Sequence, residues 1–158
     1  MTEIFFAQKA FIVRNRELLL VRKSAEDPNQ PGLWEVPGGR MIFGEEVDEH
    51  LKREVREEVG LEVLPGAPFH VWQWWVERKK PDSGVARWQI VAVARVCKPL
   101  STELSSSGRV EEDYLAEMAW VPFSDLSRYS LIPNMLPVID LFLKLVGPNA
   151  VSDDANRS

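Results

Sequence analysis

The chain of 158 residues has a single cysteine, no excess of basic residues, and no apolar run near the roughly 20 residues that a membrane-spanning helix needs. Each absence removes a class of protein. One cysteine, Cys97, forms no intrachain disulfide, which fits a reducing compartment and points to the cytoplasm; in its apolar setting it reads as a small buried hydrophobe. Nineteen lysines and arginines against 24 aspartates and glutamates leave a net charge of −5, which argues against a surface that tracks the phosphates of long nucleic acids. A small anionic ligand would then need local cations or a metal. The opening "MTEIFFAQKAF" has neither a basic leader region nor a small-residue cleavage site, so no signal peptide is expected and no membrane partner either. Fixed-period repeats, low-complexity blocks and interdomain linkers are lacking too. The expectation is one domain over residues 1–148, followed by a disordered tail at 149–158.

What is present alternates between strand and helix signals. "IFFAQKAFIV" and "LLLVRK", separated by "RNRE", predict a hairpin. "SAEDPNQPGLW" predicts a loop, and "EVPGG" leads to a helix over Glu45–Val59 that Gly60 closes with positive φ. "LEVLPG", "FHVWQWWVERK" and "RWQIVAVARV" predict strands, with "PDSGVA" as a connection. A mobile polar loop, "STELSSSGRVEED", precedes a short strand, "AEMAWVPF", and a C-terminal helix within "PNMLPVIDLFLKLVG". The class is α/β, a mixed sheet flanked by helices.

The Glu45–Val59 helix concentrates charge in "REVREEVG". At about 100° per residue, Val47, Leu51, Val55 and Val59 form the apolar stripe, and Glu46, Glu49, Lys52 and Arg56 fall on the solvated face. Glu54 and Glu58 fall within about 20° of Val47, and Glu57 sits next to Glu54. Carboxylates at i, i+3 and i+4 repel, and desolvation at the edge of a core adds to the cost. Two partners could offset it. One is an arginine: Arg53 one turn from Glu57, or Arg22 and Arg40 from other segments. The other is a hard divalent cation, which prefers oxygen ligands. The preceding "VPGGRMIFGEE" favours the cation, because its glycines let backbone approach a ligand and offer it carbonyl or amide groups.

The run "GRMIFGEEVDEHLKREVREEVGL" resembles a Nudix box: Gly, five residues, Glu, seven residues, Arg-Glu, an aliphatic residue, any residue, Glu-Glu, any residue, Gly and an aliphatic residue. Gly39, Glu45, Arg53, Glu54, Val55, Glu57, Glu58, Gly60 and Leu61 fill every constrained position. The preceding "GLWEVPGG" is similar to the approach to this box in MutT-like members. The resemblance implies the Nudix fold, an α/β/α sandwich with a mixed β-sheet. It also implies hydrolysis of a nucleoside diphosphate linked to another moiety, with Mg²⁺ or Mn²⁺ as cofactor. By position, the metal ligands would be Glu57, Glu58 and the Gly38 carbonyl, and Glu54 would bind a second metal or help to deprotonate water. Arg53 would orient the glutamates, and Glu45 would be structural. Family members often add an acid from outside the box. Glu111, Glu112, Asp113 and Glu117 are the candidates, and Glu117, before "MAWV", is preferred; residues 111–113 also read as a solvated loop.

The leaving group is read from outside the box. Alternation puts Trp72 and Trp74 on one strand face and Trp75 on the other, with Trp88 on the next strand. One set could stack on a base, although such tryptophans more commonly pack in a core or an interface; Trp34 carries the same two readings. Arg22 and Arg40 are candidate substrate contacts. In "LIPNMLPVIDLF", Asn134 resembles the asparagine that meets a purine edge in MutT-type members, and it also suits a helix N-cap. The features of the coenzyme A, NADH, ADP-ribose and dinucleoside polyphosphate subgroups are not visible, and there is no room for a winged-helix extension. The leading expectation is a MutT-like hydrolase that converts a nucleoside triphosphate, intact or oxidised, to monophosphate and diphosphate. The alternatives are an ADP-ribose or nucleotide-sugar diphosphatase and a non-catalytic nucleotide sensor. The partner is a small nucleotide, and a homodimer is compatible with the exposed tryptophans.

Overall fold

A computed structural model describes residues 2–82, 84–110 and 113–147. The expected tail at 149–158, and Glu111 and Glu112, lie outside the described residues. The strands are β1 (Thr2–Arg14), β2 (Glu17–Lys23), β3 (Trp34–Glu35), β4 (Gly38–Arg40), β5 (Val63–Lys79), β6 (Val85–Pro99) and β7 (Leu115–Pro122). Helix α1 (Val47–Val59) lies between β4 and β5, and α2 (Leu136–Leu145) closes the chain.

The sheet is mixed, in the order β3-β2-β1-β6-β5, with β4 paired to β1 and β7 to β2. Strand β1 runs parallel to β6 from Thr2 to Ile12. Its other edge is divided. Ala7, Gln8 and Lys9 pair antiparallel with β4, while Val13 and Arg14 pair with β2 across the hairpin turn at Asn15 and Arg16. That division leaves room beside β1 for the glycine segment.

Alternation along β1 and β2 sorts the core into two layers. Ala10, Ile12, Leu19 and Val21 join Leu51, Val55 and Val59 of α1 on one face. Phe11, Leu18 and Leu20 join Val138, Ile139 and Phe142 of α2 on the other. The result is the α/β/α sandwich with a mixed sheet. Cys97 is buried among the α1-side residues, and burial pushes its thiol up to about 12, as suits a small buried hydrophobe.

Three features differ from the sequence reading. Helix α1 begins at Val47 rather than Glu45, because the Glu45 carboxylate accepts the Ile42 N–H at 2.9 Å and closes a turn ahead of the helix. Val47 was expected in the buried stripe but is 49 % exposed. Helical side chains lean toward the N-terminus, so that of the first residue projects past the helix start instead of onto the sheet. The segments "LEVLPG" and "FHVWQWWVERK" form one strand, β5, whose register against β6 shifts around Pro65 and Pro68, where proline has no N–H for the ladder. The helix end agrees: Gly60 has φ 73° and donates to the Arg56 carbonyl at 3.0 Å.

Phe11 is fully buried and packs edge-on to Phe69 at 5.0 Å and beside Phe142 at 5.1 Å. Phe11→Ala should therefore cost about 3–5 kcal/mol, through lost burial and the cavity left behind. Urea unfolding followed by tryptophan fluorescence measures this, and a loss below about 1 kcal/mol would show that the two layers do not depend on this ring.

Candidate active site

The glycine segment lies against β1. A Cβ at Gly38, where φ is 148°, would stand 2.1 Å from the Gln8 carbonyl oxygen, so this approach needs glycine. A Cβ at Gly39 would meet the Glu54 carboxylate at 2.7 Å. The bare backbone of β4 is thus in contact with the acidic edge of α1. The amide of Gly38 donates to Glu58 Oε2 at 3.3 Å.

Four charged residues gather at this contact, all buried: Lys9, Glu35, Glu54 and Glu58. Lys9 Nζ lies 2.5 Å from Glu35 Oε1. Burial alone would lower the Lys9 pKa, but Glu35, Glu58 and Glu54 outweigh it and raise the value, so the ammonium is retained. Burial would likewise raise Glu35, and Lys9 and Lys23 overcome it to hold that carboxylate below its ordinary range. Burial dominates at Glu58, whose pKa lies well above the ordinary value, and it also raises Glu54 against the pull of Arg53. Three buried carboxylates thus share one buried ammonium.

Arg53 organises the outer side. It pairs with Glu45 through Nε and, at 3.1 Å, through Nη2; it reaches Glu57 at 3.1 Å and Glu54 at 3.2 Å, and donates to the Arg40 carbonyl at 3.3 Å. The bond from Arg53 brings the Glu45 carboxyl down to about 2. Among the described residues, no three His, Cys, Asp or Glu side chains form a ready-made metal-ligand set. The carboxylates predicted to converge take separate partners, Glu57 on Arg53 and Glu58 on the Gly38 amide, as mutual repulsion favours.

The donors present still fit a hard divalent cation. All are oxygens, and two of the carboxylates, Glu54 and Glu58, are desolvated enough for burial to raise both pKa values.

A cleft of about 360 Å³ adjoins this cluster, lined by Lys9, Lys23, Glu35, Trp74, Ile132 and Asn134 among others. Asn134 is therefore brought to it. It lies inside the short 3-10 helix Pro133–Met135, and neither that helix nor α2 has a side-chain cap, so the N-cap reading fails. The other substrate candidates do not line this cleft. Trp34 packs edge-on against Tyr129 at 5.1 Å, Arg22 pairs with Glu117 at 2.9 Å, and Arg40 lies over the Phe5 ring at 4.6 Å. Glu117, on β7 opposite Arg22, is held by that arginine. Trp72 and Trp74 share a face, 6.0 Å apart, and Trp75 is 66 % exposed.

The sequence reading missed Gln8, Lys9, Glu35 and His50, all buried polar residues. A signal existed for two of them, since "QK" interrupts an otherwise apolar run in β1. For His50 it was the four-residue step to Glu54, which puts both on one helix face. His50 is fully buried, with Nε2 3.0 Å from the Gly39 carbonyl oxygen and Nδ1 2.7 Å from Gln8 Nε2. Burial lowers its pKa.

A family model described as NUDIX domain matches residues 7–142. The nucleoside triphosphatase NudI of Escherichia coli (strain K12 / DH10B) is 39 % identical over 124 residues, covering 76 % of this chain and 84 % of that protein. The CTP pyrophosphohydrolase of Escherichia coli (strain K12) is 26 % identical over 136 residues, covering 86 % and 89 %. The crystal structure of the MutT protein from Methanosarcina mazei Go1 superposes with a TM-score of 0.69 at 21 % identity, over 94 % of this chain and 96 % of that one.

A depressed carboxyl contributes stability above its unfolded pKa and loses it as pH falls through the folded value. The difference in urea midpoint between the wild type and Glu45→Gln should therefore be constant above about pH 4.5 and vanish as pH falls toward about 2. A difference that grows on acidification would remove the pairing with Arg53 as its source.

Proposed function

The chain belongs to the NUDIX domain family, as a Nudix hydrolase of nucleoside diphosphate-linked compounds, and we propose that it converts a nucleoside triphosphate, intact or oxidised, to monophosphate and diphosphate. The observation that carries this reading is a cleft lined by Asn134 and Trp74 whose wall includes Lys9, the ammonium shared with Glu35, Glu54 and Glu58. A base between an indole and a carboxamide would put its phosphates toward that cluster. The names of the relatives, a nucleoside triphosphatase and a CTP pyrophosphohydrolase, support the triphosphate over an ADP-ribose or nucleotide-sugar substrate.

Glu54, Glu57, Glu58 and the Gly38 carbonyl would hold Mg²⁺ or Mn²⁺, which when bound neutralises phosphate oxygens and makes a bound water more acidic. The chain's own groups supply the rest. Arg53 fixes Glu54 and Glu57 along the same turn, which sets where their oxygens point. Glu54, oriented by Arg53, is the carboxylate that would accept the proton of an attacking water while the phosphorus–oxygen bond to the departing group breaks. Glu117 is the carboxylate from outside the box in this proposal; it would first have to leave Arg22. A cytoplasmic location belongs to the same reading, on the ground of the lone buried thiol; among the described residues no helix is long and apolar enough to cross a membrane.

The test is a panel of nucleoside triphosphates, oxidised nucleoside triphosphates and ADP-ribose assayed with Mg²⁺, with products resolved by chromatography. Monophosphate plus diphosphate is expected from at least one triphosphate, and Glu57→Gln should lower kcat by about 10²–10³-fold. Turnover confined to ADP-ribose would replace the triphosphate reading. No turnover at all, with the wild type and Glu57→Gln indistinguishable, would leave a nucleotide sensor.

A further inference from the structure

Resting on the hydrolase reading above, we propose that His50 is a positioning residue that holds the glycine pair from inside the fold through the Gly39 carbonyl.

The hydrogen bonds around His50 admit one arrangement. Arg95 Nη1 stands 3.3 Å from Gln8 Oε1, and a guanidinium can only donate, so the Gln8 side chain must turn its oxygen to Arg95 and its amide nitrogen the other way. That nitrogen donates to the Val47 carbonyl at 2.7 Å and, with its second hydrogen, to His50 Nδ1 at 2.7 Å. Nδ1 is then an acceptor, the ring is neutral with its proton on Nε2, and Nε2–H donates to the Gly39 carbonyl at 3.0 Å. Arg95 is itself held by Asp48 at 2.6 Å and by the Gly66 carbonyl at 2.8 Å. Orientation thus passes from β6 through β1 to the glycine pair, with both Gln8 amide hydrogens and the His50 Nε2–H matched to acceptors.

The glycine pair lies in the short strand β4, opposite Gln8 and Lys9 of β1, and the His50 bond adds a side-chain hold to that backbone pairing. Two consecutive glycines have no side chains with which to pack, and their backbone is the least restricted of any residue. Gly39 lies between Gly38, whose carbonyl is the proposed ligand, and Arg40, whose carbonyl takes Arg53 Nη2. Fixing the Gly39 carbonyl fixes the Gly39–Arg40 peptide plane, which adjoins the peptide that carries the Gly38 carbonyl. Gln8 and His50 are fully buried, so water does not compete for these bonds.

The chain has only two histidines, His50 and His70, so their ring nitrogens are separable by long-range ¹H–¹⁵N NMR of the wild-type protein. The expected spectrum for His50 at pH 7 shows a protonated Nε2 and an unprotonated Nδ1. His50→Phe keeps a ring and loses the donor, whereas His50→Gln can place an amide N–H near the position of Nε2. Mn²⁺ affinity, measured by electron paramagnetic resonance without substrate, should fall about 10–100-fold in His50→Phe, with most of it recovered in His50→Gln. On the triphosphate identified by the panel, kcat should fall by a similar factor in His50→Phe while KM changes by less than about threefold. The proposal is overturned by a proton on Nδ1, by His50→Phe matching the wild type in Mn²⁺ affinity, by His50→Gln proving as weak as His50→Phe, or by a wild type that binds no Mn²⁺. A wild type that binds Mn²⁺ normally but hydrolyses no triphosphate overturns the hydrolase reading instead, and the affinity series still decides the role of His50.

Discussion

Burying a carboxylate costs several kcal/mol unless cations or donors offset it, and this fold buries Glu35, Glu54 and Glu58 around the single ammonium of Lys9. The surrounding structure can be understood as the means of keeping them there. The sheet delivers Lys9 by pairing it with Gly38, α1 delivers Glu54 and Glu58 on its sheet-facing edge, and β3 delivers Glu35. The Gly38 amide and Arg53 supply further compensation, each to a different carboxylate. These compensations do not bring Glu54 and Glu58 back to their ordinary range, since burial still raises both.

Those compensations also explain why the carboxylates stand apart. Arg53 binds Glu45, Glu54 and Glu57 together and takes the Arg40 carbonyl, tying the turn ahead of α1 to the helix itself. Glu58 turns inward instead, to the amide of the segment that Gln8 and His50 hold from below. One face of the glycine segment therefore meets acidic side chains, and the other meets the Gln8 and His50 side chains.

The legible part of the site was the part in which one stretch of chain carries the whole pattern. Three carboxylates beside an apolar stripe, closed by Gly60, can be placed on a helix by angle alone, and two of them, Glu54 and Glu58, are buried as that angle requires. Val47 departed from the stripe because angle does not tell where the sheet ends. Trp34, Arg22 and Arg40 were plausible substrate contacts by residue type, yet each has a structural partner supplied by a distant segment: Tyr129, Glu117 and Phe5. Lys9 and His50 were passed over for the complementary reason, since their significance lies in what β4 and Glu35 place beside them.

The local order of residues was enough to establish the acidic helix, the glycine segment before it, the layered α/β class and the family resemblance, because hydrophobic period, glycine placement and charge spacing act over a few turns of chain. Tertiary structure alone decided which charges are desolvated, which cation each one meets and which side chains line the cleft. Those outcomes depend on dielectric and distance between elements far apart along the chain, as when Lys9 and Asn134 come to line one cleft, and spacing along the chain carries no information about either.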